Sequence, residues 1–340
     1  YRLRKLRKDK SVLITFDNFT SQLKDLFLSR NPNLKVNPRG VDHQFKNFIK
    51  LLTKTAPLER QGNWIYFPWN RKLVHVLPEK EFFELRTSRN HDLINYKEQN
   101  KFRDCKLGIA GLSVGNSIAL CLTSEGLEKI RLADYDSLDL SNLNRLRAGI
   151  YHLGTNKALI AAQQIYELNP YAKVEVFTKG LNDRIMKKFV GGPPLDIVID
   201  EMDDLPMKLK LRLLARTLRI PVISATDNGD NVIIDIERFD LEKDRPVFHG
   251  ALGKIKHEKI VTLNFPERLK LINRIVGYRF VTKRMKASLR NVGKTLYAWP
   301  QLGGAAQLAG AAVTYVVRKI SLGEKMSSGK YHVNLERIFS

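Results

Sequence analysis

The stretch KLGIAGLSVGNSIALCLTSEG, residues 106–126, decides how the chain is read. Residues 106–110 are short and apolar, as a buried strand is. Gly111 supplies a turn, and residues 114–125 carry a helical period that Gly126 can end. A strand passing through a glycine turn into a helix leaves free backbone N–H groups near residues 113–116, and these can hold a phosphate. A dinucleotide fingerprint would place G-x-G-x-x-G here. This chain has Gly111, Ser113, Val114 and Asn116, with an extra Gly115. Alone, that is a weak motif, and a purely structural loop is the competing reading.

Outward from this stretch, strand and helix patterns alternate. Strands are expected at residues 129–133, 173–177, 195–200, 221–225 and 232–236. Helices are expected at 155–168 and at 206–218, the latter opening on Pro206. This alternation predicts an α/β fold with a doubly wound, mainly parallel, Rossmann-like sheet, whose ligands bind at the carboxyl ends of the strands. Before it, residues 11–52 read as two amphipathic helices. GNWIYFPWNRKLVHVLP, residues 62–78, reads as a hairpin, and residues 79–89 as a short helix. The charge balance shifts near Leu85. We therefore expect a smaller N-terminal α+β region over residues 1–84, then one domain over 85–340 with its core at 105–240 and an extension at 241–340. In the extension, residues 268–290 read as a basic helix and 302–320 as a helix of small residues.

The charge is uneven. Residues 105–253 hold 19 Lys+Arg against 20 Asp+Glu, whereas residues 1–60 hold 14 against 5 and residues 254–340 hold 17 against 4. Basic flanks permit a nucleic-acid or acidic partner, but no aromatic–basic interleaving accompanies them, so a solvated face is the simpler reading. Two cysteines, Cys105 and Cys121, argue against a disulfide framework or a Cys-ligated zinc. The most apolar segment, residues 302–317, is short of the roughly 20 residues of a membrane span. A soluble, cytoplasmic protein is expected, and its lack of an initial methionine suggests a piece of a longer chain.

LADYDSLDLSNLNRLRAG, residues 132–149, follows the second strand. Asp134 lies 23 residues after Gly111, where an acid takes ribose hydroxyls in nucleotide-binding sheets. To this point a dehydrogenase and an adenylating enzyme look alike. Asn142 and Arg145 share the loop after Asp134, Lys157 opens the next helix in LGTNKA, and Asp203 follows the fourth strand in VIDEMDD. Taken singly, Lys157 and Arg145 are ordinary surface cations and Asp203 a helix cap. As a set on one sheet edge they suit a triphosphate. Two unit charges at ~4 Å repel by roughly 4 kcal/mol at an effective dielectric of 20, so an anionic nucleophile needs Arg, Lys and Mg²⁺ nearby. Asp203 is the expected Mg²⁺ ligand, a carboxylate for a hard cation.

The run GLSVG…LADYDSLDLSNLNR…GTNKA…VIDEMDD resembles the ThiF/MoeB/HesA family, which includes the ubiquitin-activating enzymes. The likeness spans about residues 85–239, and WPQLGGAAQLAGAAVTYVVRKI, residues 299–320, is similar to the family's late helix. The resemblance implies binding of ATP and Mg²⁺ and adenylylation of a C-terminal carboxylate, usually of a ubiquitin-like protein or peptide. It gives Asp134 to the ribose, Asn142, Arg145 and Lys157 to the phosphates, and Asp203 to the magnesium. RTSRN, residues 86–90, resembles the family's R-Y-x-R, so that Arg89 would reach into a partner subunit's site in a homodimer. Asp204 stands where asparagine is usual. Ser113 and Val114 replace two glycines of the family loop, with Gly115 compensating. The family's paired CxxC zinc motifs and its thioester cysteine are both missing, so no zinc is expected and the cysteines read as core residues. His152 reads as structural, and Tyr297 and Trp299 as core or interface residues. GLSVG, the aromatic hairpin and WPQL look closest to a bacterial subgroup sometimes fused to a nitroreductase-like domain. The competing expectation is a degenerate nucleotide-binding regulatory module; a dinucleotide oxidoreductase is disfavoured by Arg145, Lys157 and Asp203.

Overall fold

The computed structural model describes residues 10–253, 255 and 257–339; part of each basic flank lies outside them. The chain divides into two compact units, Tyr1–Tyr96 and Lys97–Ser340. The division falls beyond the change of charge at residue 85. The reason is that α3 (Glu79–Arg86), after α1 (Phe19–Arg30) and α2 (Val41–Thr53), gives Phe82 and Leu85 to the first unit's core around Phe19, Leu23, Leu26 and Leu77. The expected hairpin forms as β2 (Asn63–Phe67) against β3 (Lys72–Val76), antiparallel. A short strand that sequence reasoning missed, β1 (Ile14–Phe16), adds to β3 in parallel. Buried His75 sits between the rings of Phe19 and Trp64, at 4.1 and 4.3 Å, with its nitrogens against the Asp17 carboxylate and the Gln61 carbonyl.

In the second unit α4 (Tyr96–Asp104) leads into β4 (Lys106–Ala110), α5 (Val114–Glu125) and β5 (Lys129–Ala133). Then come α6 (Lys157–Leu168), β6 (Lys173–Phe177), α7 (Asp183–Gly191), β7 (Ile197–Asp200), α8 (Leu205–Thr217), β8 (Val222–Asn228) and β9 (Asn231–Glu237). Short helices α9 (His257–Val261), α10 (Phe265–Val276) and α11 (Lys283–Leu289) precede the long α12 (Gly303–Leu322), β10 (Gly329–Val333) and α13 (Leu335–Ile338). The sheet has seven strands in the order β10-β9-β8-β7-β4-β5-β6. Strands β6 to β8 of that order run parallel, and β9 and β10 are antiparallel to their neighbours. The chain leaves β4 towards β5 and β6, then returns to β7 on the other side. The carboxyl end of β4 is therefore the topological switch point, where such sheets open a crevice for ligands.

Both faces of the sheet are covered. Leu107, Ile109, Ile197, Ile199 and Ile223 pack under α5, α6 and α12, while Val198 and Val222 pack under α7 and α8 with Phe189, Leu211 and Ala215. Burial of each such side chain contributes about 1.5–3 kcal/mol. Glycine lets α12 and α5 touch closely: a Cβ on Gly310 would lie 2.9 Å from the Ser117 carbonyl oxygen. A guanidinium is sealed beneath the sheet edge, where Arg212 of α8 pairs with Asp200 of β7 and, at 2.5 Å, with Glu237 of β9. The expected basic helix over 268–290 is two helices, because Gly277 at φ +88° ends α10 and α11 restarts at a Thr282 cap. Strand β10 was not foreseen; it is an edge strand whose polar residues give no clear alternation.

Candidate active site

Gly111 takes φ +90°, and a Cβ there would lie 2.4 Å from the Glu201 carbonyl oxygen, so the turn after β4 requires glycine. The amide of Gly111 donates to the Ala133 carbonyl at 2.8 Å, and the amide of Leu112 donates to Asp134 Oδ2 at 2.6 Å. Asp134 also accepts the Asp136 amide on Oδ1 at 2.8 Å. The acid thus fixes the turn and its own loop with one lone pair on each oxygen, leaving further acceptor capacity for hydroxyl donors. Burial pushes its carboxyl up from the ordinary range, opposed by those two amides and by Lys157.

Ser113 stands at the N-cap of α5 without capping it through its side chain. Its hydroxyl instead accepts Arg145 Nε at 2.9 Å, while Arg145 also donates to Asn144 Oδ1 at 2.9 Å. Burial lowers the Arg145 guanidinium from its ordinary value, against the attraction of Asp227 and Asp203. Lys157 opens α6, buried, with Nζ 3.0 Å from Asp136 Oδ2. Its helix is capped by Asn156, whose Oδ1 takes the Ala158 and Leu159 amides. Asp203 is exposed between β7 and α8. The cap of α8 is its neighbour Asp204, which accepts the Met207 amide at 3.1 Å. That gives the acid in place of asparagine a local structural task.

Gly111, Ser113, Val114, Asp134, Arg145, Lys157 and Asp203 all line one cavity of about 420 Å³. Three expected residues do not. Asn142 is buried inside the loop, where its Oδ1 accepts the Asp139 amide at 3.1 Å and closes the turn Leu140–Asn142. Gly115 packs α5 onto β4, since a Cβ there would lie 2.9 Å from Ile109 Cγ2. Arg89 belongs to the first unit, exposed in the turn Ser88–Asn90. Trp299 stands on the cavity wall and packs against Val281, Met285 and Leu289, while Tyr297 is fully exposed and outside the core. His152 is structural in that its Nδ1 accepts the Gly149 amide at 3.3 Å.

The cavity continues past Arg145 and Asp203 over β8, β9 and β10. Apolar residues of α10, among them Ile272, Ile275 and Val276, cover this part, with Asp235 and Lys330 paired on its wall. Sequence reasoning missed two acids here. Burial pushes the Glu201 carboxyl well above its ordinary range, and its Oε1 accepts the Ala225 amide at 2.7 Å. Asp227, near the end of β8, is pushed up to about 6 by burial, against Gln301 and Arg145. An acid at the carboxyl end of a parallel strand was the available signal in VISATDNGD.

Neither cysteine stands on this wall. Burial pushes the Cys105 thiol up to about 12, and half-buried Cys121 is raised by the same cause. Among the described residues no three His, Cys, Asp or Glu side chains gather as a metal-binding group, and no helix is long and apolar enough to cross a membrane.

Known proteins resemble this chain in sequence and in fold. The chain is 38% identical over 311 residues to the uncharacterised protein MT1398 of Mycobacterium tuberculosis (strain CDC 1551 / Oshkosh), covering 91% of this chain but 43% of that protein. It is 26% identical to the molybdopterin-synthase adenylyltransferase of Haemophilus influenzae, over 63% of this chain and 87% of the relative. The fold is shared with Escherichia coli MccB bound to MccA-N7isoASN, at TM-score 0.53 and 17% identity over 76% of each chain. It is shared too with the E. coli tRNA N6-threonylcarbamoyladenosine dehydratase TcdA, at TM-score 0.50 and 20% identity over 71% of this chain and 95% of that one. The ThiF family model matches residues 86–296, which include the glycine turn and every cavity residue expected from the sequence, and the chain belongs to the ThiF family.

Proposed function

We propose that the chain is an ATP-dependent adenylyltransferase that activates a substrate carboxylate and releases pyrophosphate. One observation carries this reading: Asp134, the Gly111 turn, Arg145, Lys157 and Asp203 line a single cavity at the switch point of the sheet. The Haemophilus relative's name and the E. coli MccB structure solved with ATP support it. The ribose hydroxyls donate to the remaining lone pairs of Asp134. The first amides of α5, with Arg145 and Lys157, take phosphate oxygens. Mg²⁺ supplies neutralisation of triphosphate charge. It binds proteins through one or two carboxylates, so the exposed Asp203 would fit the ion. The substrate carboxylate, ionised at pH 7, attacks the α-phosphorus. A new P–O bond forms, the bond to the β-phosphate oxygen breaks, and no proton needs to move.

The substrate in this reading is the C-terminal carboxylate of a ubiquitin-like protein or peptide. The acyl group passes to a nucleophile other than Cys105 or Cys121, in keeping with their raised thiols. The protein acts as a homodimer in which exposed Arg89 serves the second copy's site. Calorimetry with ATP and Mg²⁺, followed by ATP–pyrophosphate exchange with a cognate carboxylate, tests the reading. Asp203→Ala should keep nucleotide binding and lose exchange by about 100-fold or more. Full exchange in that variant removes the metal role, and wild-type protein that binds no ATP removes the function.

A further inference from the structure

The proposed ATP site leaves most of the positive charge of the C-terminal flank without a task, and the fold gathers that charge on one surface. Residues 268–294 hold nine Lys+Arg and no Asp or Glu. All but half-buried Lys286 are exposed. Val276, at the end of α10, shares one small core with Val281, with Met285 and Leu289 of α11, and with Trp299. Lys270, Arg274, Arg279, Lys283 and Arg284 therefore stand on the outside of a single folded corner. Arg268 is exposed and also lines the cavity, so this surface begins at the cavity rim.

None of the nine makes an ion pair or a side-chain hydrogen bond with another described residue. Elsewhere in this unit cations are matched, as in Arg103–Glu128, Lys129–Asp104 and Arg318–Glu125. An ordinary solvated surface mixes both signs. Here like charges repel with no acid of the chain to offset them. Lys283 and Arg284 even occupy the first turn of α11, where the helix dipole disfavours a cation. A polyanion supplies the charge that is missing.

The exposed large apolar residues decide which polyanion. Among the described residues of 262–300 they are two tyrosines, Tyr278 and Tyr297, with no aliphatic side chain. A protein partner calls for an apolar centre inside a polar rim, and this surface has none. Nucleic-acid interfaces are polar and strongly positive, and aromatic rings stack on the bases of a single strand. Ring and cation are also neighbours here: Lys286 Nζ lies 4.4 Å from the Tyr278 ring centroid, and the Arg279 guanidinium 4.6 Å from that of Phe280. The aromatic–basic association absent from the sequence pattern thus exists in space.

We propose that α10, α11 and the turn between them form a nucleic-acid-binding surface, whose cations take the phosphates of a single strand and whose Tyr278 and Tyr297 stack on its bases. Fluorescence anisotropy of the whole chain with a fluorescein-labelled single-stranded RNA of mixed sequence, over a series of NaCl concentrations, tests it. Log affinity should fall against log salt with a slope of about −3, as for about four phosphates of a single strand. Lys283→Glu with Arg284→Glu should weaken binding by about 10-fold or more and flatten the slope by about 1.4. Acids are favourable in the first turn of a helix, so the melting temperature of this variant should not fall, and its ATP binding should be unchanged. Lys179→Glu with Lys187→Glu makes the same charge change at exposed positions elsewhere in the unit, and should cost less than about 3-fold. Tyr278→Ala with Tyr297→Ala should weaken binding by about 10-fold and keep the slope. Equal losses in the two charge variants would show attraction by net charge alone and overturn the proposal. Unaltered affinity in the tyrosine variant overturns it too, as does displacement of the RNA by poly-glutamate at matched charge, the mark of a surface for an acidic protein. Wild-type protein that binds no RNA overturns it and leaves adenylylation standing.

Discussion

Arg145 donates its Nε to the Ser113 hydroxyl at 2.9 Å, tying the loop after β5 to the start of α5. Ser113 is thus an anchor for Arg145, the cation proposed to take phosphate oxygens. Ser113→Ala should weaken ATP binding by less than 10-fold, the loss of one positioning hydrogen bond worth about 1 kcal/mol. Arg145→Ala removes the charge itself and should cost about 10-fold or more. Titration calorimetry with ATP in both variants checks the order, and equal losses would refute it.

Two glycines with similar dihedral angles should respond differently to alanine. Gly111, at φ +90°, would put its Cβ 2.4 Å from the Glu201 carbonyl oxygen, whereas Gly154, at φ +81°, has nothing within 4 Å. Gly154→Ala carries only left-handed backbone strain, about 1–2 kcal/mol. Gly111→Ala adds a backbone collision at the nucleotide turn, and should lower the melting temperature further and abolish ATP binding. Thermal melts of the pair, with and without ATP, decide the matter.

The Asp200–Arg212–Glu237 group is sealed from solvent, and Arg212 is attracted by both carboxylates while its ring-facing side lies 4.2 Å from the Phe248 ring centroid. Removing the cation strands two buried acids. Arg212→Met should therefore destabilise the unit by about 3–5 kcal/mol, the range for breaking a buried pair from one side. Urea unfolding at pH 7 gives the value, and a loss below about 1 kcal/mol would show that the group relaxes.

Asp227 makes stability depend on pH. Its folded value of about 6 lies above the ordinary 3.8, so folding favours the protonated form. That contribution is complete below pH 3.8 and is lost as pH rises through about 6. The stability of wild type relative to Asp227→Asn should accordingly fall between pH 4 and pH 7, by up to about 3 kcal/mol. Denaturant titrations of both proteins across that interval test the sign as well as the size.

Much of the second unit was legible because its signals are local. The glycine turn, the strand–helix alternation and the small-residue helix each follow from short windows, and β4 to β9 lie where those windows place them. Elements that depend on distant partners were not. Strand β10 exists because β9 offers an edge, with Tyr331 opposite Ile234, and the break at Gly277 lies inside a stretch of unbroken helical period. At the site, the set Asp134, Arg145, Lys157 and Asp203 was readable from chain order. Asn142 turned inward, because an asparagine in a tight loop can serve its own backbone. Asp227 stayed hidden because its meaning depends on burial and on Gln301, 74 positions away.

The close approach of α12 to α5 at Gly310 has a bearing on how this scaffold can change. A Cβ on Gly303 would also lie 2.4 Å from the Asn144 carbonyl oxygen, so the start of α12 is pinned beside Arg145. The stretch between β9 and α12 therefore starts at the sheet and ends beside the loop that carries Arg145. Between those ends Leu271 and Ile275 of α10 pack on Leu205 and Leu209 of α8, and Asn228 at the end of β8 bonds to Phe280 and Thr282. A change of length there is felt at once by the helix that follows Asp203 and by the strand that carries Asp227, so this wall of the cavity evolves together with its floor.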